Sequence, residues 1–185
     1  MKILKKIVIV LLLIVAVLLI TALFLKKDYA VKREITINKP KQEVFDYIKY
    51  LRNQNNFSKW AMMDPLMTKT YQGTDGTVGF ISAWDSKADS VGKGEQEIVK
   101  IEEGKRIDFE IRFIKPFESK DKAYMITDSI SPTATRVIWG FDGHMSYPMN
   151  LMLLCMDFDK MLGGDLATGL ERLKTKLETE KIKIP

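Results

Sequence analysis

The stretch GKGEQEIVKIEEGKRIDFEIRF, Gly92–Phe113, decides the fold. From Arg106 onward it alternates. Ile107, Phe109, Ile111 and Phe113 fall on one side of an extended chain, and Arg106, Asp108, Glu110 and Arg112 fall on the other. That is the period of a half-buried strand. The EEGK segment before it has the turn chemistry to join it to a preceding strand, Glu95–Glu102. A hairpin with one apolar and one charged face must turn the apolar face onto a core.

Strand signals recur outward from this hairpin. They are Thr68–Gln72 and Val78–Asp85 before it, and Ala123–Ile130 and Thr135–Phe141 after it. The breaks GTDGT, DSKADSVGKG, KPFESKD and SPTA are Gly, Asp, Ser and Pro clusters suited to hairpins. Upstream, VKREITINKP (Val31–Pro40) begins as a strand through Ile35 and Ile37. KQEVFDYIKYL (Lys41–Leu51) then has helical spacing at Val44, Tyr47, Ile48 and Leu51, and Pro40 suits its first turn. RNQNNFSKWAMMDP reads as a polar turn and a short helical or irregular stretch.

From Met149 to Glu180 the pattern is helical. Leu151, Leu154, Phe158, Met161, Leu162, Leu166, Leu170, Leu173 and Leu177 make one stripe. Gly163 and Gly164 interrupt it and predict a kink or close packing. Short antiparallel strands with helices kept apart define an α+β fold. One helix cannot cover seven strands flatly. The expectation is a curled seven-stranded antiparallel sheet around a long C-terminal helix, with a cavity between them.

The first 27 residues stand apart. Ile7–Leu25 is 19 residues without a charge. As a helix it is about 28 Å long, close to the hydrocarbon thickness of a bilayer. It is long for the core of a cleavable signal peptide, and TALFLKKDY lacks a small-x-small cleavage pattern. We read residues 1–27 as a single transmembrane anchor and 28–185 as one domain, with disorder confined to the junction after Lys26 and the tail after Glu180. Lysines flank the span on both sides, so the positive-inside comparison comes close to a tie. The short basic head resembles a signal-anchor, which points to an extracytoplasmic domain.

The net charge of +5 carries no hint of nucleic acid. Lys2, Lys5, Lys6, Lys26 and Lys27 account for it. All 24 Asp and Glu lie from Asp28 onward, against 24 remaining Lys and Arg. A neutral domain is a poor binder of phosphate backbones. The single cysteine, Cys155, excludes an intrachain disulfide and reads as a small buried core residue in LMLLCM. No His or Cys pair has metal-ligand spacing, and no cofactor is implied. GTDGTVG is a hairpin turn and not a dinucleotide fingerprint.

Four stretches together resemble one family. REITINKPKQEVFDYI resembles the opening strand and helix of START-like (SRPBCC) helix-grip proteins, also called polyketide cyclase/lipid-transport-like. NFSKWAMMDP is similar to the turn that follows, GKGEQEIVKIEEGKRIDFEIRF to the central hairpin, and ATRVIWGFDGHM to the last strand. Glu103 stands where that hairpin often has Pro. The resemblance spans about Tyr29–Leu177. It implies a hydrophobic cavity for a lipid, polyketide, steroid-like or other apolar molecule, and it implies no particular reaction.

Strand phase nominates the walls of that cavity. Phe80 and Trp84 share one face with Ser82; Phe109 and Ile111, and Trp139 and Phe141, share the others. Trp60 and Met62 are expected to close one end, and Tyr147, Met152 and Met156 to come from the helix side. Nine methionines follow the anchor, and flexible thioethers suit a pocket that adapts to its contents. Solid packing is the alternative for any of these residues. His144, the only histidine, lies near the end of the last strand on its outward phase, and no nucleophile motif accompanies it. Glu95 and Glu97 share a strand face with Val99 and Ile101, so they are either a salt-bridged surface pair or cavity acids. The expected function is membrane-anchored binding of a hydrophobic small molecule or lipid, with no nucleic-acid partner. The alternatives are a cyclase or hydrolase using cavity acids, and an interaction module with a filled core.

Overall fold

A computed structural model describes residues 2–88 and 90–180. Helix α1 (Lys2–Phe24) leads into strand β1 (Asp28–Ile37). Helix α2 (Lys41–Lys49), a 3-10 turn (Leu51–Asn56) and the short helix α3 (Lys59–Met63) follow. Six strands come next: β2 (Thr68–Gln72), β3 (Ile81–Asp85), β4 (Lys93–Glu102), β5 (Arg106–Lys115), β6 (Ser119–Ser131) and β7 (Ala134–His144). The chain ends in a 3-10 turn (Met149–Leu151), helix α4 (Met152–Cys155) and helix α5 (Phe158–Thr179). The seven strands form one antiparallel sheet in the order β1-β7-β6-β5-β4-β3-β2.

Helix α5 crosses the concave face of this sheet. Leu166, Leu170, Leu173 and Leu177 are all buried on it, each worth about 1.5–3 kcal/mol relative to exposure. Helix α2 adds Val44, Phe45 and Ile48 to the same core, against Ile37, Ile107, Phe109 and Val137. On the convex face Arg106 lies over the Tyr124 ring, 4.3 Å from its centroid.

Several expectations need correction. The C-terminal helical pattern is not one helix from Met149 to Glu180. Met156 is extended (φ −114°, ψ 129°), and Asp157 starts α5 afresh by accepting a hydrogen bond from the Lys160 N–H at 2.9 Å. The helix runs unbroken through Gly163 and Gly164. Gly163 is a site of close packing, where the Arg33 guanidinium occupies the room a side chain would need. Cys155 is exposed rather than buried, because the break turns α4 away from the core. The third strand begins at Ile81 rather than Val78, since Gly79 takes a positive φ of 89° and Val78 is exposed.

Strand β4 carries a bulge. Ile98 pairs with Phe109 and Lys100 pairs with Asp108, leaving Val99 as the extra residue. Ile98 and Ile101 therefore both reach the core, while Val99 is exposed. The junction after Lys26 is an ordered turn, with the Met145 N–H donating to the Lys27 carbonyl at 2.8 Å. The expected disordered tail after Glu180 lies outside the described residues.

A candidate ligand cavity at one end of the sheet

The layer between α5 and the sheet is filled at one end only. Along β5, Ile107 and Phe109 are buried in the solid core, whereas Ile111 and Phe113 line a cavity. Along β7 the change comes between Val137 and Trp139. Along α5, Leu170, Leu173 and Leu177 are solid core, whereas Phe158, Leu162 and Leu166 line the cavity. Helix α2 fills the first end, and the other end lacks an equivalent helix.

The cavity has a volume of about 370 Å³, at the lower end of the size of ligand pockets. All three tryptophans of the chain, Trp60, Trp84 and Trp139, line it. Trp60 meets Trp139 edge-on at 6.1 Å, and Trp84 meets Phe113 edge-on at 5.9 Å. Glycines make room for two of these rings. A Cβ at Gly169 on α5 would come within 2.7 Å of the Trp139 ring, and one at Gly94 within 2.6 Å of Trp84. Tyr29 of β1 packs against Phe158 at 4.9 Å and Phe141 at 6.1 Å.

Polar groups are spread along this wall, with Asp121 and Lys115 toward one side, Ser82 and Gln96 between, and Lys69 on the other. Asp121 of β6 is buried. Its carboxylate accepts from the Ser119 hydroxyl (2.8 Å) and from the His144 N–H (2.9 Å). The Tyr29 phenol is pushed up to about 12, mainly by burial and further by the charge of Asp121. Lys69 of β2 lines the far side of the cavity. Its ammonium donates to Asn55 Oδ1 at 2.8 Å and to the Ala61 carbonyl at 3.0 Å, and burial lowers its pKa. Gln54 also lines the wall. It is 8% exposed, and its Nε2 makes no hydrogen bond within the protein.

The nominated residues divide. Trp60, Trp84, Ile111, Trp139 and Phe141 line the cavity. Phe80 and Phe109 share its face of the sheet but lie in solid packing, Phe80 stacked on Tyr71 at 6.1 Å. Met62 is exposed, its sulfur accepting from Arg172 at 3.3 Å. Tyr147 is exposed, and it lies outside the cavity together with Met152 and Met156, because the break at Met156 lets α5 alone supply the helix side.

The candidate acids and base lie elsewhere. Glu95, Glu97 and Glu110 converge on Arg112, at 2.6, 2.8 and 2.5 Å, on the convex face. Inward-facing Gln96 lines the cavity in their stead. The ring of His144 points outward to Asp28, Nδ1 to Oδ1 2.7 Å. Sequence reasoning passed over Tyr29, Gln54, Lys69, Asp121 and Phe158. Extending the β6 alternation back from Met125 through Ala123 reaches Asp121, and the α5 stripe already contained Phe158. Nothing in the local pattern marked Gln54.

The chain belongs to the polyketide cyclase/dehydrase and lipid transport family, whose profile matches residues 29–178. No curated protein matches it significantly. Solved structures of the helix-grip fold resemble it at low identity. Norcoclaurine synthase from Thalictrum flavum, in complex with dopamine and hydroxybenzaldehyde, is 8% identical with a TM-score of 0.63, covering 89% of this chain and 94% of that one. An uncharacterised protein from Rhizobium leguminosarum is 15% identical with a TM-score of 0.58, covering 83% and 97%. A protein from Nitrosospira multiformis is 14% identical with a TM-score of 0.56, covering 82% and 97%. At these identities the likeness is one of fold.

Proposed function

We propose that this protein is a membrane-anchored binder of a hydrophobic small molecule or lipid, held between the sheet and α5. The observation that carries the proposal is the cavity of about 370 Å³ walled by all three tryptophans. An apolar molecule entering it exchanges water for aromatic surface, which is the driving force for such sites. A filled core would leave no such space. An acid-base enzyme built on Glu95, Glu97 or His144 would need those groups in the cavity, and they are engaged outside it. Norcoclaurine synthase, with its two small aromatic molecules, supports the capacity of this fold to hold such ligands.

Helix α1 is long and apolar enough to cross a membrane. Two observations support an anchor coupled to the cavity. Asn150, itself buried, donates from Nδ2 to the Ala22 carbonyl at 2.7 Å, tying the turn before α4 to the end of α1. The exposed part of the cavity wall, Ser90, Lys115 and Pro116, is at the same end of the sheet as Asp28, where α1 joins. Apolar ligands partition into the bilayer, so a cavity facing it meets them at high local concentration.

The test is to purify the full chain into lipid nanodiscs and extract it for mass spectrometry, with empty nanodiscs as the blank. A bound apolar compound, enriched over the blank, is expected. No enriched compound, together with tryptophan emission that no apolar probe alters, overturns the proposal.

A further inference from the structure

We propose that the tip of the β5–β6 hairpin, led by Phe117, is a second membrane contact beside α1, and that it seats the cavity mouth on the bilayer so that the ligand enters directly from the lipid. This rests on the anchored ligand-binding reading above and adds the surface and the route by which the same cavity is filled.

The register of the sheet fixes where the tip stands. Asp28 pairs with His144, and Asp142 pairs with Lys122, so Lys120 is level with Asp28. The hairpin runs on past that level to Phe117, up to about 10 Å further along the strand direction. Helix α1 leaves from the same end. Leu25, Lys26 and Lys27 alone join Phe24 to Asp28, a link that spans no more than about 14 Å. Asn150, in the turn that follows β7, holds the Ala22 carbonyl at that end. Ala22 is the only buried residue of α1, so the domain adjoins the helix at its last turn and leaves the rest of its surface free. A bilayer crossed by α1 therefore lies within reach of the tip.

The chemistry of this end suits a lipid surface. Phe117 is 72% exposed, and Ile114 at the base of the tip is exposed as well. Met149 and Leu154 are exposed beside the end of α1, and Leu66, 92% exposed, precedes β2 at the same end of the sheet. An aromatic ring left in water at a hairpin tip adds nothing to the core and gains burial on insertion. Lys26, Lys27 and Lys115, all exposed, stand at this end and suit lipid headgroups. At the opposite end Val78 and Ile130 are exposed, near turns with no link to α1.

The cavity opens at the same place. Its exposed lining residues Lys115 and Pro116 directly precede Phe117. Ser90 belongs to the β3–β4 turn, whose Gly92 packs against the Lys115 backbone. Phe117 itself is not part of the wall. It stands at the mouth, where it can meet lipid without filling the cavity.

The test uses the full chain in nanodiscs of phosphatidylcholine and phosphatidylglycerol, with Cys155→Ser. Ile14→Cys inside α1, Glu118→Cys beside Phe117 and Ile130→Cys at the opposite end each carry one NBD fluorophore. Lipids with a nitroxide at shallow or deep acyl positions report contact with the membrane. The labels at 14 and 118 are expected to be quenched, the first by deep and the second by shallow nitroxides, and the label at 130 is expected to stay unquenched. Adding Phe117→Glu is expected to abolish quenching at 118 and to leave that at 14 unchanged. A terminally brominated twelve-carbon methyl ester, delivered in lipid vesicles, then reports loading through the three wall tryptophans. Phe117→Glu is expected to slow that loading by about threefold or more, with the final extent of quenching unchanged.

A label at 118 quenched no more than that at 130, or one indifferent to Phe117→Glu, overturns the contact while quenching at 14 leaves the anchor standing. Equal loading rates in parent and Phe117→Glu overturn the direct route. An unquenched label at 14 removes the anchored reading and this one together, and tryptophans that the ester never quenches remove the ligand-binding reading.

Discussion

Trp139 lies against Gly169, where α5 comes close enough that a Cβ would approach the indole to 2.7 Å. A Gly169→Val substitution drives a branched side chain into that ring. It is expected to destabilise the domain by about 1–3 kcal/mol, with a lower denaturation midpoint and a changed tryptophan emission. A second residue gives the cavity a pH signature. The Tyr29 phenol is pushed from 10.0 up to about 12 by burial, with Asp121 adding to it. The folded state thus favours the neutral phenol, while the unfolded chain ionises it near 10.0. The stability this contributes is fully present below pH 10.0 and is lost as pH rises to about 12. Urea denaturation across that range is expected to show a shallower alkaline loss for Tyr29→Phe than for the parent. Identical slopes would place the phenol in water.

At the scale of elements, the break at Met156–Asp157 matters most. It frees α5 to begin at Phe158, so that Phe158, Leu162 and Leu166 form the helix wall and α4 turns outward. Asp157 holds that start by capping Lys160. Asp157→Ala is expected to cost about 1 kcal/mol, measured by chemical denaturation. The second device is the clasp between α1 and the domain, where Asn150 donates to Ala22 and, at 3.4 Å, to Leu25. With it gone, the Lys26–Lys27 turn loses one of its fixings. Asn150→Ala is expected to speed trypsin cleavage after these lysines several-fold in detergent micelles, with the melting temperature of the remaining domain little changed. An unchanged cleavage rate would show that the Met145–Lys27 hydrogen bond alone orders the turn.

For the whole molecule, the decisive feature is that the layer is filled at the α2 end and open at the α1 end. The segment beside α1 is apolar and accessible. Met149 and Leu154 are exposed, and so is Cys155, the only cysteine. The anchored arrangement proposed above would put this segment at the bilayer surface. A nitroxide on native Cys155 is expected to collide more with oxygen than with a water-soluble nickel complex when the chain is in nanodiscs. Full accessibility to the nickel complex would mean that the domain stands away from the membrane.

Much of this was legible in the chain. Alternation in RIDFEIRF and RVIWGF assigns the inward faces of β5 and β7, because side-chain phase is local geometry. The same holds for the α5 stripe and for the apolar run of α1. Depth along a strand is not local. Phe109 and Ile111 have the same phase, yet one is sealed beneath α2 and the other borders the cavity, since only the docking of α2 distinguishes them. The Val99 bulge likewise moved Glu95 and Glu97 to the convex face, where Arg112 gathers them. Local pattern was enough to assign the α+β class, the order of elements and the faces that look inward. Where the interior stays open, and that Lys69 and Asp121 border it from opposite parts of the sheet, emerged only in the folded chain, because both depend on packing between segments distant in the sequence.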